Sequence, residues 1–231
     1  MPIDHRHRFV FIHIPKTAGI SVMLALQRTK VKLEFNRRNI FPRLLEHPRR
    51  VEILRRLRTS STLGLMTNYV EQHLPASILR EFVPDELWTR YYKFGFVRNP
   101  WDLCVSSFAY MKRTFETSPE AVARDPDIAY LMTHCDFEEY LRMLPLFSSR
   151  GGDMTSYLVD DDERLLVDFV GRFERLEEDF AEICSHLKVS PTLTHENKGE
   201  RAAYRDYYSD VTKGLVAAYY ARDIERFDYA F

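Results

Sequence analysis

Apolar residues come in bursts along this chain, and two bursts end at the same kind of corner. Phe9-Val10-Phe11-Ile12 with Ile14 is a run of β-formers that stops at Pro15. Val22-Met23-Leu24-Ala25-Leu26 follows as the start of a buried helix. The pattern predicts a strand over 8–14 and a helix over 18–30. Tyr91 to Val97 is a second aromatic and β-branched run, which predicts a strand over 91–97. It leads into Asn99-Pro100-Trp101-Asp102, with a natural N-cap, a proline suited to the first helical position and an acid in the first turn. A helix over 100–113 then turns Leu103, Val105 and Phe108 inward.

Weaker patterns fill in the rest. Residues 36–60 read as a basic helical excursion broken at Pro48, 62–66 as a short strand or loop, and Pro75 as the start of a short helix. Pro119 and Pro126 mark 116–127 as an irregular loop. Asp136 caps another helix, and 148–153 is the most flexible-looking stretch. A strand over 167–173, a helix over 176–188 and a final helix from about Asp210 complete the chain. Alternating strands and helices imply an α/β fold with a mainly parallel sheet covered by helices on both faces. The ligand then belongs at the carboxyl ends of the strands. The 231 residues suffice for one domain over 1–231.

Composition adds little to this picture except through charge. Hydrophobic residues make up 45% and charged residues 29%, ordinary values for a soluble protein. Cys104, Cys135 and Cys184 lie far apart without metal-ligand spacing, and Cys104 and Cys184 read as core residues. There is no apolar signal region at the N-terminus and no stretch long enough to cross a bilayer. The net charge of −1 gives no reason to expect nucleic acid as a partner. Between Arg28 and Arg58, however, eleven Lys or Arg stand against three Asp or Glu. That stretch is either a rim that recruits an anionic acceptor, such as a uronic-acid glycan, or a solvated helical face.

The candidate chemistry sits at the two strand-to-helix corners. In the first, Lys16, Thr17, Ala18, Gly19, Ile20 and Ser21 gather a cation, two hydroxyls and the unpaired amides of a helix N-terminus, all suited to an anion. The loop is not a Walker A motif, because Pro15 and Val10 stand where its glycines would be and Gly19 follows the lysine. In the second, Arg98 can fork onto phosphate oxygens.

Lys-Thr-Ala-Gly-x-Ser resembles the phosphosulfate loop of the PAPS-dependent sulfotransferases. The string His-Ile-Pro-Lys-Thr-Ala-Gly is closest to their membrane-type carbohydrate branch, with its chondroitin and heparan enzymes. Phe-x-Phe-Val-Arg-Asn-Pro-Trp-Asp-x-x-Val-Ser, beginning at Phe94, is similar to the segment of that family that binds the 3′-phosphate. Val170-Gly171-Arg172-Phe173-Glu174, Asn197-Lys198-Gly199 and the C-terminal tail match further family segments. The resemblance implies a P-loop-like three-layer fold and 3′-phosphoadenosine 5′-phosphosulfate (PAPS) as donor, with no metal required. It assigns Lys16 to Ser21 to the 5′-phosphosulfate, Arg98 and Ser106 to the 3′-phosphate, and Lys198 to closure over the phosphates. Ile20 stands where the family commonly has Thr or Ser, which removes one hydroxyl contact.

Sulfuryl transfer needs a stabiliser for the departing phosphate and a base for the acceptor hydroxyl. Lys16 suits the first task. Glu71-Gln72-His73-Leu74-Pro75 resembles a family segment whose His deprotonates the acceptor, which points to His73. Glu71 is the next candidate, because some sulfotransferases use a carboxylate. His13, in the first strand, is expected to be packed or to act behind the reacting groups. A catalytic pattern without an anchor is expected of a cytoplasmic enzyme. Two alternatives remain at the level of sequence: a kinase-like phosphotransferase, which would depend on Mg²⁺, and a module that binds nucleotide or glycan without turnover. The acceptor and the oligomeric state are not legible.

Overall fold

β1 (Ile3–Asp4) pairs antiparallel with β2 (Phe9–Ile12), which runs parallel to β3 (Tyr92–Val97), which runs parallel to β4 (Phe169–Arg172). This four-stranded sheet has the order β1-β2-β3-β4. The computed structural model describes residues 3–28, 48, 73–147, 153–190, 193 and 203–231. Chain contacts divide the molecule into two compact units: Met1–Arg98 with Ser149–Lys198, and Asn99–Ser148 with Gly199–Phe231.

The first unit holds the sheet. Alternation along the strands puts Phe9, Phe11, Phe94 and Phe96 on one face, all fully buried. They meet Val22, Ala25 and Leu26 of α1 (Gly19–Arg28) and, beyond α2 (Ala76–Arg80) and α3 (Asp85–Arg90), residues of a later helix at 176–187. Phe11 and Phe94 stack with centroids 5.2 Å apart. Each buried Phe contributes on the order of 1.5–3 kcal/mol relative to exposure. On the opposite face, a Cβ at Gly95 would stand 3.0 Å from Leu158, so the segment after Asp153 lies directly over β3. The register aligns Ile12 with Gly95 and Val97 with Arg172. The loops that leave β2, β3 and β4 therefore emerge at the same edge of the sheet.

The second unit is helical. α4 (Pro100–Thr117) is capped by Asn99, whose Oδ1 accepts the Trp101 N–H at 3.0 Å while its Nδ2 donates to the Ala230 carbonyl at 2.8 Å. α5 (Pro119–Arg124) and α6 (Pro126–His134) occupy the stretch that the sequence presented as an irregular loop. Each of these prolines takes the first helical position, where a missing N–H costs nothing. Ser118 caps α5, and buried Ala121, Ala129 and Met132 hold both helices. α7 (Phe137–Arg142) carries the expected Asp136 cap, completed by Glu139 into a capping box. α8 (Leu144–Phe147) follows.

Beyond β4, in the first unit, a 3-10 turn at Phe173–Arg175 leads into α9 (Leu176–Leu187). The C-terminal helix divides at Tyr220 into α10 (Asp210–Tyr219) and α11 (Ala221–Phe227). The three cysteines are free and buried, and burial raises the Cys104 and Cys184 thiol pKa values. Among the described residues, no helix is long and apolar enough to cross a membrane. The basic stretch, Glu71, the 148–152 segment and Lys198 lie outside the described residues.

Candidate active site

The first corner is built by backbone strain. Lys16 and Ala18 adopt left-handed conformations, with φ of 64° and 68°. For non-glycine residues this costs about 1–2 kcal/mol each, so the surroundings must hold them there. Backbone that turns through the left-handed region forms amide-lined concavities that suit anions. α1 begins at once, its first hydrogen bond running from the Val22 N–H to the Ala18 carbonyl at 3.1 Å. The amides of Gly19, Ile20 and Ser21 therefore have no intrahelical carbonyl to reach.

Thr17 is fully buried, and its hydroxyl donates to the Ile14 carbonyl at 2.9 Å. The hydroxyl thus braces the turn from within, and its proton is already committed. Ile20 faces outward at 48% exposure, where a hydroxyl residue would stand at the rim of the loop.

Gly19 is required here by close approach. A Cβ at this position would lie 1.8 Å from Cδ2 of His13. His13 is 3% exposed and stacks on Phe11. Its ring centroid is 4.3 Å from that of His73, and its buried Nδ1 has no hydrogen-bond partner among the described residues. Burial first, and the neighbouring His73 second, hold the His13 pKa well below the usual 6.5, so the ring is neutral at pH 7. His13 was expected either to be packed or to act behind the reacting groups, and the structure shows it buried.

His73 lies just before α2 and is 8% exposed. Its Nδ1 sits 2.8 Å from the His13 carbonyl. A carbonyl only accepts, so Nδ1 carries the hydrogen and Nε2 carries the lone pair of the neutral ring. The tautomer follows from this hydrogen bond. His73 is thereby joined to the strand end that opens the Lys16 loop.

At the second corner Arg98 is 5% exposed. Its Nη1 donates to the Lys16 carbonyl at 2.9 Å, and its guanidinium carbon lies 3.8 Å from the centre of the Phe173 ring. Its backbone N–H points to the Met154 sulfur at 3.3 Å. The loops after β2, β3 and β4 thus meet at one guanidinium. Ser106 is half-buried on α4, in the second unit. Phe173 and Met154 were not among the residues singled out from sequence. Phe173 stands in the quoted Gly-Arg-Phe-Glu segment, so its place directly after a strand was the available signal. Met154 had none.

The arrangement brings a helix N-terminus, Lys16 and Arg98 to one loop, with an oriented imidazole tied to the strand end that precedes it. It can hold an anionic group and accept a proton from a neighbouring hydroxyl. The sequence model of the family described as "Sulfotransferase family" matches residues 1–230. An uncharacterized protein of Archaeoglobus fulgidus is 27% identical over 120 residues, which cover 52% of this chain and 87% of that protein.

Proposed function

Because the chain belongs to the sulfotransferase family, we propose that it moves a sulfuryl group from PAPS to an acceptor hydroxyl on a carbohydrate, in the manner of the membrane-type carbohydrate branch. The observation that carries the donor reading is the 2.9 Å bond from Arg98 Nη1 to the Lys16 carbonyl. It brings two anion-adapted corners together, as a nucleotide with phosphates at both its 5′ and 3′ positions requires. The residues fit that donor: a strained amide-lined turn, a helix N-terminus, Lys16, and a guanidinium held edge-on to the loop. The same features support a P-loop-like fold.

In this reading the amides of Thr17, Ala18, Gly19, Ile20 and Ser21, braced by the Thr17 hydroxyl, receive the 5′-phosphosulfate. The family resemblance adds Arg98 and Ser106 as ligands of the 3′-phosphate and Lys198 as the residue that closes over the phosphates. The bound donor supplies the sulfuryl group and a phosphate leaving group. Lys16 and the positive end of α1 stabilise the charge that grows on the leaving oxygen. His73 takes the acceptor hydroxyl proton at Nε2 while the new oxygen–sulfur bond forms and the old one breaks. The His13 carbonyl keeps the His73 lone pair on that nitrogen. The basic stretch from Arg28 to Arg58 supports an anionic glycan as the acceptor.

The test is transfer of labelled sulfate from PAPS to a panel of uronic-acid glycans, neutral glycans and phenols. Label on a glycan hydroxyl is the expected result. Label on phenols alone would overturn the acceptor. No transfer to any acceptor, together with Mg²⁺-dependent turnover of ATP, would overturn the donor.

A further inference from the structure

We propose that Arg98 is a positioning residue for the Lys16 loop as well as a ligand of the nucleotide, so that the two phosphate sites act as one coupled unit. This rests on the donor reading above, and it makes Phe173 part of the same device. Lys16 holds a left-handed backbone without being glycine. Its carbonyl is gripped by Arg98 Nη1 from 82 residues away in sequence. The peptide that follows is planar, with its C=O and N–H pointing in opposite directions. Fixing the Lys16 carbonyl therefore also fixes where the Thr17 N–H points.

Arg98 can do this because it is itself immobilised. Phe173, on the turn after β4, covers the guanidinium face at 3.8 Å, and Met154 receives the backbone N–H. Arg98 is 5% exposed, with its guanidinium held by the Lys16 carbonyl and the Phe173 ring and its backbone by Met154, so a change at either corner is transmitted to the other. The coupling is reciprocal: whatever affinity a 3′-phosphate on Arg98 adds at the 5′ site, a 5′-phosphate adds at the 3′ site.

The experiment measures binding of adenosine 5′-monophosphate and of adenosine 3′,5′-bisphosphate by calorimetry, on wild type and on Arg98→Lys, Phe173→Leu and Phe173→Tyr. The monophosphate has no 3′-phosphate, and all three variants keep the charge. The proposal expects monophosphate affinity to fall at least threefold in Arg98→Lys and Phe173→Leu. Phe173→Tyr retains a ring to stack and should bind as wild type does. A fall of less than threefold in Arg98→Lys and Phe173→Leu would overturn the proposal and leave Arg98 as a ligand only. Equal losses in Phe173→Tyr and Phe173→Leu would also overturn it, since general packing would then be the cause. Amide hydrogen exchange over residues 16–22 in the nucleotide-free proteins is the second readout. Faster exchange in folded Arg98→Lys is expected, and unchanged protection counts against the proposal. If wild type binds neither nucleotide, the donor reading fails, and the exchange comparison alone decides whether Arg98 positions the loop.

Discussion

The Nδ1 of His73 donates to the carbonyl of His13 across 2.8 Å and sixty residues of sequence. One hydrogen bond thus ties the candidate base to the strand end that opens the phosphate loop and selects the nitrogen that can accept a proton. His73→Ala should leave PAPS affinity nearly intact while kcat falls by roughly a hundredfold or more, the usual scale for a lost general base. The acidic limb of the pH–rate profile should vanish with it. Steady-state kinetics from pH 5 to 9 is the check; near-normal kcat with the same acidic limb would place the base elsewhere, with Glu71 tested first.

Lys16 combines a charge with a strained backbone, and two substitutions separate these. Lys16→Ala should weaken donor binding and reduce turnover more, because the ammonium acts most strongly as charge develops. Lys16→Gly loses the same ammonium but tolerates φ of 64°. Its thermal stability should equal or exceed that of Lys16→Ala, while both are poor enzymes. A Lys16→Gly protein clearly less stable than Lys16→Ala would contradict the strain account.

Gly19 and His13 should be energetically coupled. Gly19→Ala forces a Cβ into the His13 ring and should destabilise the fold by about 1–3 kcal/mol, the range for overpacking. In a His13→Ala background the same change should cost much less. Denaturant unfolding of the four proteins gives the coupling directly; additive losses would mean that the two residues do not press on each other.

His13 also makes a pH-dependent contribution to stability. Its folded pKa lies below the usual 6.5, so between these values the unfolded chain binds a proton that the folded chain refuses. The contribution is present above pH 6.5 and is lost as pH falls toward the depressed folded value. His13→Asn should flatten the stability-against-pH curve below pH 6.5, as read by urea unfolding at a series of pH values. Parallel curves for the two proteins would show that another group sets the slope.

Ile20 gives a gain-of-function test. It is 48% exposed at the start of α1, so a hydroxyl there meets no packing obstacle. Ile20→Thr should strengthen donor binding by about 0.5–1.5 kcal/mol, the worth of one added hydrogen bond. Unchanged affinity by calorimetry would place the 5′-phosphosulfate away from this position.

Locally encoded features were legible before the fold was known. Asn99-Pro100 and Asp136 announced helix starts because capping is chemistry between neighbours in sequence. The runs at Phe9–Ile12 and Tyr92–Val97 announced buried strands because both sheet faces are covered. Pro119 and Pro126 misled: proline breaks a helix interior but suits its first turn, and the buried Ala121, Ala129 and Met132 tipped the balance toward helix. The two-residue β1 escaped notice because so short a strand has no period to read. Tyr220 divides the last helix without any proline or glycine signal beside it.

By itself the sequence determined which residues carry charge, hydroxyl and imidazole, that two of these groups sit at strand-to-helix corners, and which family they resemble. Tertiary structure decided which of them meet. Arg98 and Lys16 are 82 residues apart, and His73 and His13 are 60 apart. No local pattern encodes such contacts, since they arise from parallel pairing of β2 with β3 and from the loops that the sheet brings to one edge. Long-range packing likewise set the tautomer of His73 and gave His13 its depressed pKa, and the pairing of β3 with β4 laid Phe173 over Arg98. Burial and hydrogen-bond geometry are properties of the packed chain, and they exist only once distant segments share a surface.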